Sequence, residues 1–294
     1  MCGVSTIITD KRKMEAQLVQ IREQQKEVWN RFSSGWKKWD ELTMDFLKPM
    51  ADAIINHIKP KDTDMVLDVA SGTGEPGLTI ATMIKGGKVI AVDLAEGMLD
   101  VAVENANRRR INNFETITCD VCDLPFADNS FDAISCRFGF MFFPDMSLAA
   151  REMVRVLKPG GRIAVTVWNE PDKNFWATSV LSIVNKNMKV APPPQGAPGL
   201  FRCAKSGLIP DLFKQAGLKN ISESEVGGKL NPGNRKTYWN FMTEVVAPVV
   251  AALSKADCEM KVKIRSEVFN LIKQKYPDGA LTLDSSAFVI YGEK

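Results

Sequence analysis

The run Val66-Leu67-Asp68-Val69-Ala70-Ser71-Gly72-Thr73-Gly74-Glu75-Pro76-Gly77 limits what this chain can fold into more than any other stretch. An apolar segment ends in an acid, and three glycines follow before a second apolar segment of helical character. That order reads as a strand, a tight turn and a helix start, with backbone bare enough at Gly72, Gly74 and Gly77 for a ligand to lie against it. At the carboxyl end of the first strand of an open α/β sheet, such a turn makes the crevice in which nucleotide-like cofactors bind.

The glycines alone leave two cofactors open. Gly72-x-Gly74-x-x-Gly77 satisfies a dinucleotide fingerprint, and Asp93 stands about where an acid would hold the ribose of NAD. S-adenosylmethionine fits the same turn. Three further features separate the two. Asp68 ends its strand where a carboxylate suits an ammonium group, whereas facing a pyrophosphate it would be repelled. Cys119-Asp120-Val121-Cys122-Asp123-Leu124-Pro125-Phe126 follows a strand-like run at 114–118 and offers a carboxylate to an adenine amino group. Leu157-Lys158-Pro159-Gly160-Gly161-Arg162 stops a helix and starts a strand.

In this order and spacing, the glycine loop, the acid after Val89-Ile90-Ala91-Val92, the Asp-x-x-x-Leu-Pro-Phe segment and Leu-Lys-Pro-Gly-Gly-Arg resemble the class I S-adenosylmethionine-dependent methyltransferases. The branch with the ubiquinone and menaquinone C-methyltransferases is the most similar. The resemblance is strong over about residues 60–170 and specific for the cofactor more than for the methyl acceptor. It implies a doubly wound, mainly parallel seven-stranded sheet whose last strand is antiparallel. It also implies site roles. Asp68 would face the methionine ammonium, and Ser71, Gly72, Thr73 and Gly74 its carboxylate. Asp93 would take the ribose hydroxyls, Asp120 and the Val121 amide the adenine. Leu94 and Met98 either sandwich the adenine or belong to the core. Cys136 and Arg137 are expected near the cofactor.

Periodicity sets out the rest. Strands are expected at 65–70, 88–92, 114–118, 131–136 and 162–168, alternating with helices at 75–84, 96–107 and 146–157, which demands right-handed crossovers in a parallel sheet. Met14, Leu18, Ile21 and Val28 space an amphipathic helix over 12–28, the aromatic stretch 28–39 reads as irregular, and a helix follows from 40 to 57. After a helix at 174–188 comes a proline-rich break at 191–199. A helix at 206–216, a strand at 221–226, helices at 235–253 and 256–274 and a strand at 287–291 complete the chain. The organisation is thus a helical lid (1–59), a cofactor core (60–170) and a C-terminal part (171–294) whose added helices, by the resemblance, roof the acceptor pocket. Phe138, Phe140 and Phe142 either line that pocket or simply pack. Trp29, Phe32 and Trp36 form either a lid over it or a staple between helices.

Composition narrows the partners. With 38 bases against 35 acids and no long basic block, the chain lacks an electrostatic footprint for nucleic acid. Arg108-Arg109-Arg110 closes a helix, where cations favour the negative dipole end. No apolar run reaches the roughly 20 residues needed to span a bilayer. The first residues carry no signal-peptide hydrophobic region and Asp10 opposes a transit peptide, so a cytoplasmic location is expected. Cys2, Cys119, Cys122, Cys136, Cys203 and Cys258 read as free thiols. Cys119-x-x-Cys122 has no second ligand pair, and His57 is the sole histidine, so no metal is expected.

These readings imply methyl transfer to a small, apolar or aromatic acceptor by in-line displacement, with Glu170, Asp145 and Tyr238 as candidate acids or bases. Two alternatives stand beside it. One is an NAD(P)-dependent oxidoreductase, for which no Tyr-x-x-x-Lys or catalytic histidine is found; the other is a non-catalytic S-adenosylmethionine-binding partner protein. The oligomeric state does not follow from the sequence.

Overall fold

The computed structural model describes residues 2–194 and 196–294, with side chains from residue 15 onward. The side chains of Cys2, Asp10 and Met14, used above, lie outside the described residues.

Short runs form the parallel part of the sheet, the inner ones Val-, Ile-, Leu- and Ala-rich and buried on both faces, the edge one more exposed. They are β1 (Met65–Val69), β2 (Lys88–Asp93), β3 (Phe114–Thr118), β4 (Phe131–Arg137) and β5 (Leu157–Trp168), joined at one side by β6 (Lys219–Gly233) and β7 (Leu281–Glu293). The order is β3-β2-β1-β4-β5-β7-β6. β1 to β5 pair in parallel, and β7 runs antiparallel to both β5 and β6. The chain therefore has the expected doubly wound, mainly parallel seven-stranded sheet. Strand order reverses between β1 and β4, which opens a crevice at their carboxyl ends.

Alternation along each strand sorts side chains between two layers. Val66, Val89, Ala91 and Ala133 meet Leu78 and Ile80 of α3 (Gly77–Met83) and Ala102 and Ala106 of α4 (Glu96–Arg108). Leu67, Ile90, Val92, Ile134 and Val165 enter the larger core with Ala149 and Met153 of α5 (Met146–Val156). The basic triplet does end α4. Arg108 donates to Asn105 and Asp40, and Arg109 pairs with Glu75.

Three expectations change. The 28–39 stretch is not irregular: α1 is one helix, Cys2–Lys38, separated from α2 (Asp40–Ile58) by Trp39 alone. Trp29, Phe32 and Trp36 recur at i, i+3 and i+7, a helical spacing that was there to be read. The helix expected at 235–253 is two, α8 (Arg235–Val245) and α9 (Ala247–Leu253), because Pro248 opens the second and cannot continue the first. β6 and β7 extend well past 221–226 and 287–291, pairing as far as Gly233 with Leu281. Charged, glycine-bearing β6 lacks a strong strand pattern, as suits an edge. The remaining helices, α6 (Phe175–Met188), α7 (Leu208–Gln215) and α10 (Cys258–Lys275), fall near their expected places.

α1 packs against α4 and α8, tied near its C-terminal end. Asn30 Oδ1 accepts the Gly97 amide at 2.8 Å, and Lys38 and Trp39 both donate to Glu244 of α8, at 2.6 and 2.8 Å. Gly35 allows the close approach: a Cβ there would stand 2.3 Å from the Glu244 carbonyl oxygen. Alanine in place of a helical glycine ordinarily stabilises by about 1 kcal/mol. Here the backbone clash dominates, so Gly35→Ala is expected to destabilise by about 1–3 kcal/mol. A melting temperature equal to or above wild type would show that α1 does not pack on α8 in this way.

Candidate cofactor and acceptor site

A cavity of about 1390 Å³, open mouth included, lies over the carboxyl ends of the five parallel strands. Val69 and Ala70 after β1, Asp93 after β2, Cys119 and Asp120 after β3, Arg137 and Phe138 at β4 and Trp168 at β5 all reach its wall.

The glycine loop is shaped by a buried carboxylate. Asp68 is fully buried; its Oδ2 accepts the Gly77 amide at 3.1 Å and its Oδ1 the Ser135 hydroxyl at 2.6 Å. Gly77 must be bare for this, since a Cβ would come within 2.7 Å of Asp68 Oδ2. Gly74, at φ +109°, presses on Leu78, where a Cβ would meet Cδ1 at 2.6 Å. Asp93 fastens the far side, accepting the Gly72 amide on Oδ2 and the Ala95 amide on Oδ1, both at 2.9 Å. Burial raises its carboxyl above the ordinary value, opposed by these amides and that of Leu94.

Nine of the residues expected at the cofactor line this cavity: Ser71, Gly72, Thr73, Asp93, Leu94, Met98, Asp120, Val121 and Arg137. Three do not. Asp68 spends both oxygens inside the loop, Gly74 faces α3, and Cys136 is fully buried beneath the wall. Asp68 thus supplies no charge against a pyrophosphate, and that reason for preferring S-adenosylmethionine over NAD falls away. Asp120 is already partnered: Cys122 donates its amide to Oδ1 at 2.9 Å and Arg22 of α1 its guanidinium to Oδ2 at 3.2 Å.

At the other end the wall is aromatic. Trp29, Trp36, Phe138 and Phe142 are on it, whereas Phe32 and Phe140 are buried off it, Phe140 against Phe143 and Phe213. Trp29 meets Phe142 edge to face, centroids 5.0 Å apart. Phe46, Trp176 and Phe241, together with Val245 to Pro248 at the α8–α9 break, complete the wall without having been singled out from sequence. Only Pro248 carried a signal there.

The candidate acids and bases are spent elsewhere. Tyr238 is fully buried, donates to the Trp176 carbonyl at 2.6 Å and has its phenol pushed well up by burial. Asp145 caps α5 through the Leu148 amide, Asp123 closes the turn with Asp120, and Glu170 is exposed. Cys119 and Cys122 have thiols pushed up to about 12, chiefly by burial and then by Asp120.

Among the described residues, several polar groups at the loop end have no hydrogen-bonding protein partner of the usual N or O kind. The hydroxyls of Ser71, Thr73 and Thr43 (on α2) are buried without a hydrogen bond. Arg137 donates only to the Met44 thioether, at 3.6 Å. Burial lowers its guanidinium from the ordinary value, opposed by Glu75, Asp68 and Asp40. Hydroxyls and a cation left unspent beside a glycine loop suit a carboxylate.

Residues 67–165 match the family model described as a methyltransferase domain. Over that stretch the chain is similar to a methyltransferase domain. The chain is 39% identical over 140 residues to the demethylmenaquinone methyltransferase of Listeria welshimeri, covering 47% of this chain and 55% of that protein. Its counterpart from Bacteroides fragilis is 34% identical over 120 residues, 40% and 49% of the two chains. The chain spans about half the length of these curated relatives. Around the matched stretch the fold extends to the YcgJ protein of Bacillus subtilis, with a TM-score of 0.55 and 19% identity over 84% of this chain and 97% of that one. The cyclase SpnF shares it as well, with a TM-score of 0.53 and 20% identity over 83% and 79%. Such likeness is one of fold, and a fold shared with a cyclase does not fix the reaction.

Asp68 generates a pH prediction. Its carboxyl is raised to about 7, burial outweighing the help of Ser135, Arg137 and Gly77. The folded chain therefore holds that proton more tightly than the unfolded chain. The resulting stability is full below about pH 4 and lost as pH rises through about 7. Asp68→Asn, which mimics the protonated acid, is expected to flatten the fall in denaturation midpoint between pH 5 and pH 8. Asp68→Ala, which strands the Gly77 and Ser135 donors, should cost about 2–4 kcal/mol. Parallel pH profiles for wild type and Asp68→Asn would show that the group does not titrate in this range.

Proposed function

We propose that this protein transfers a methyl group from S-adenosylmethionine to a small apolar or aromatic acceptor, without a metal. The observation that carries the reading is the two-ended cavity, with unspent polar groups at the glycine loop and an aromatic wall opposite, between which a methyl group would pass. Arg137, Thr43, Ser71 and Thr73 would hold the cofactor's carboxylate, Asp93 its ribose, and Asp120 and the Val121 amide its adenine. The relatives act, by name, on demethylmenaquinone, which makes a quinone-type ring the first acceptor class to screen.

When bound, the cofactor supplies an electrophilic methyl on a sulfonium with a neutral leaving group. The protein's part is alignment and the exclusion of water. Among the described residues, the titratable side chains on the wall are Glu75, Asp93, Cys119, Asp120 and Arg137, all from strand-end loops. Glu75 is held by Arg109 and the Thr79 amide. With no free base at the aromatic end, the acceptor must arrive as a nucleophile, a carbanion-like carbon, a phenolate or a neutral amine.

Thermal unfolding with S-adenosylhomocysteine, NAD and NADH tests the cofactor. At about 100 times its dissociation constant a ligand adds roughly 2.7 kcal/mol, which at about 2 °C per kcal/mol for a chain near this size is a shift of about 5 °C. A shift with S-adenosylhomocysteine alone is expected; a shift with NAD alone would install the oxidoreductase reading. Asp120→Ala should weaken S-adenosylhomocysteine about tenfold, the value of one hydrogen bond to a charged group. Unchanged affinity would remove Asp120 from the adenine site.

A further inference from the structure

Phe138, the first residue beyond β4, has φ +60°, in the left-handed region where a bulky side chain is an outlier. Three contacts hold it there. Its N–H donates to the Thr166 carbonyl at 3.0 Å. Gly139 is pressed onto the end of β1, so that a Cβ would stand 2.6 Å from Ala70 Cβ and 2.8 Å from Cys136 Sγ. The Phe138 ring stacks on Trp168, with centroids 4.0 Å apart and planes 15° from parallel. Phe46 also lies nearly parallel to Trp168, at 5.8 Å and 18°.

These three near-parallel rings differ in exposure. Phe46 and Trp168 are 2% and 4% exposed, while Phe138 is half-buried and on the cavity wall. With one face against Trp168, Phe138 is left partly open to the cavity. It lies beside Arg137, where the strand order reverses and the loop end of the cavity gives way to the aromatic end. A core filler needs no strained backbone, and strain of this kind persists where the surroundings over-determine it, often at a site of function.

We propose that Phe138 is a positioning residue whose constrained backbone offers a flat stacking face to a planar acceptor, fixing the acceptor's plane relative to the methyl donor. The inference rests on the methyl-transfer reading and narrows its acceptor to planar rings. An apolar wall alone accepts any greasy shape, whereas a ring face selects flat partners in offset or edge-on contact. In-line attack needs that angular control.

Two variants separate this role from packing. Phe138→Gly removes the ring and takes the left-handed angle freely. Phe138→Leu keeps apolar bulk and loses the flat face. Each would be compared with wild type for melting temperature, for S-adenosylhomocysteine affinity by calorimetry, and for binding of 1-naphthol and its saturated counterpart decahydro-1-naphthol to the S-adenosylhomocysteine-saturated protein. The expected result is unchanged S-adenosylhomocysteine affinity in both variants, with 1-naphthol weakened about tenfold. Decahydro-1-naphthol should bind Phe138→Leu as it binds wild type, and Phe138→Gly should melt within about 2 °C of wild type. Full 1-naphthol affinity in Phe138→Leu overturns the proposal. So does a wild type that does not prefer the flat probe, or a large fall in the melting temperature of Phe138→Gly with 1-naphthol binding intact. If S-adenosylhomocysteine fails to bind wild type, the methyl-transfer reading falls first and the inference with it.

Discussion

A carboxylate sealed from water joins three elements of this fold. Asp68 links the end of β1 to the start of α3 through the Gly77 amide and to β4 through the Ser135 hydroxyl. The cost of burying an acid is only partly offset by two donors and a nearby guanidinium, and the result is a loop with one shape. Once Gly77 is drawn down, the backbone from Ala70 to Gly74 has little choice: Ala70, Gly72 and Gly74 all take positive φ. That curvature brings Ser71 and Thr73 to the wall and sets Gly72 against Asp93. Asn105 completes the brace by donating to the Thr73 carbonyl at 3.0 Å.

The motifs were legible because each fixes a backbone junction, and junctions leave marks in sequence. Leu124-Pro125-Phe126 is clasped by α5: Arg155 donates to the Leu124 and Phe126 carbonyls, and Glu152 accepts the Leu124 amide. The Pro-Gly-Gly segment carries no cavity residue; its neighbours Lys158 and Arg162 pair with Asp132 and Asp64 at the amino ends of β4 and β1, away from the cavity. Side-chain direction was less legible. A strand-end acid looks alike whether it faces a ligand or a loop amide, and Asp68 turns to the loop. Phe140 and Phe142 sit two apart in a short 3-10 turn, where successive side chains point to different sides, so one joins the core and the other meets Trp29.

The aromatic end left the faintest trace, because it is assembled from segments far apart in the chain. Trp29 and Trp36 come from α1, Phe46 from α2, Trp168 and Trp176 from β5 and α6, and Phe241 from α8. No local pattern joins them. What brings them together is the packing of α1 on α8 across Gly35 and Glu244, a contact between residues more than 200 positions apart.

The place of β7 has a consequence for the order in which the sheet can be built. Among the described strands β6 pairs with β7 alone, so residues 219–233 have no seat until residues 281–293 fill the gap beside β5. During vectorial synthesis the five parallel strands can close first, and β5 then presents a bare edge while more than a hundred further residues emerge. That interval, rather than any step in the finished molecule, is when the chain is most open to pairing with the wrong strand.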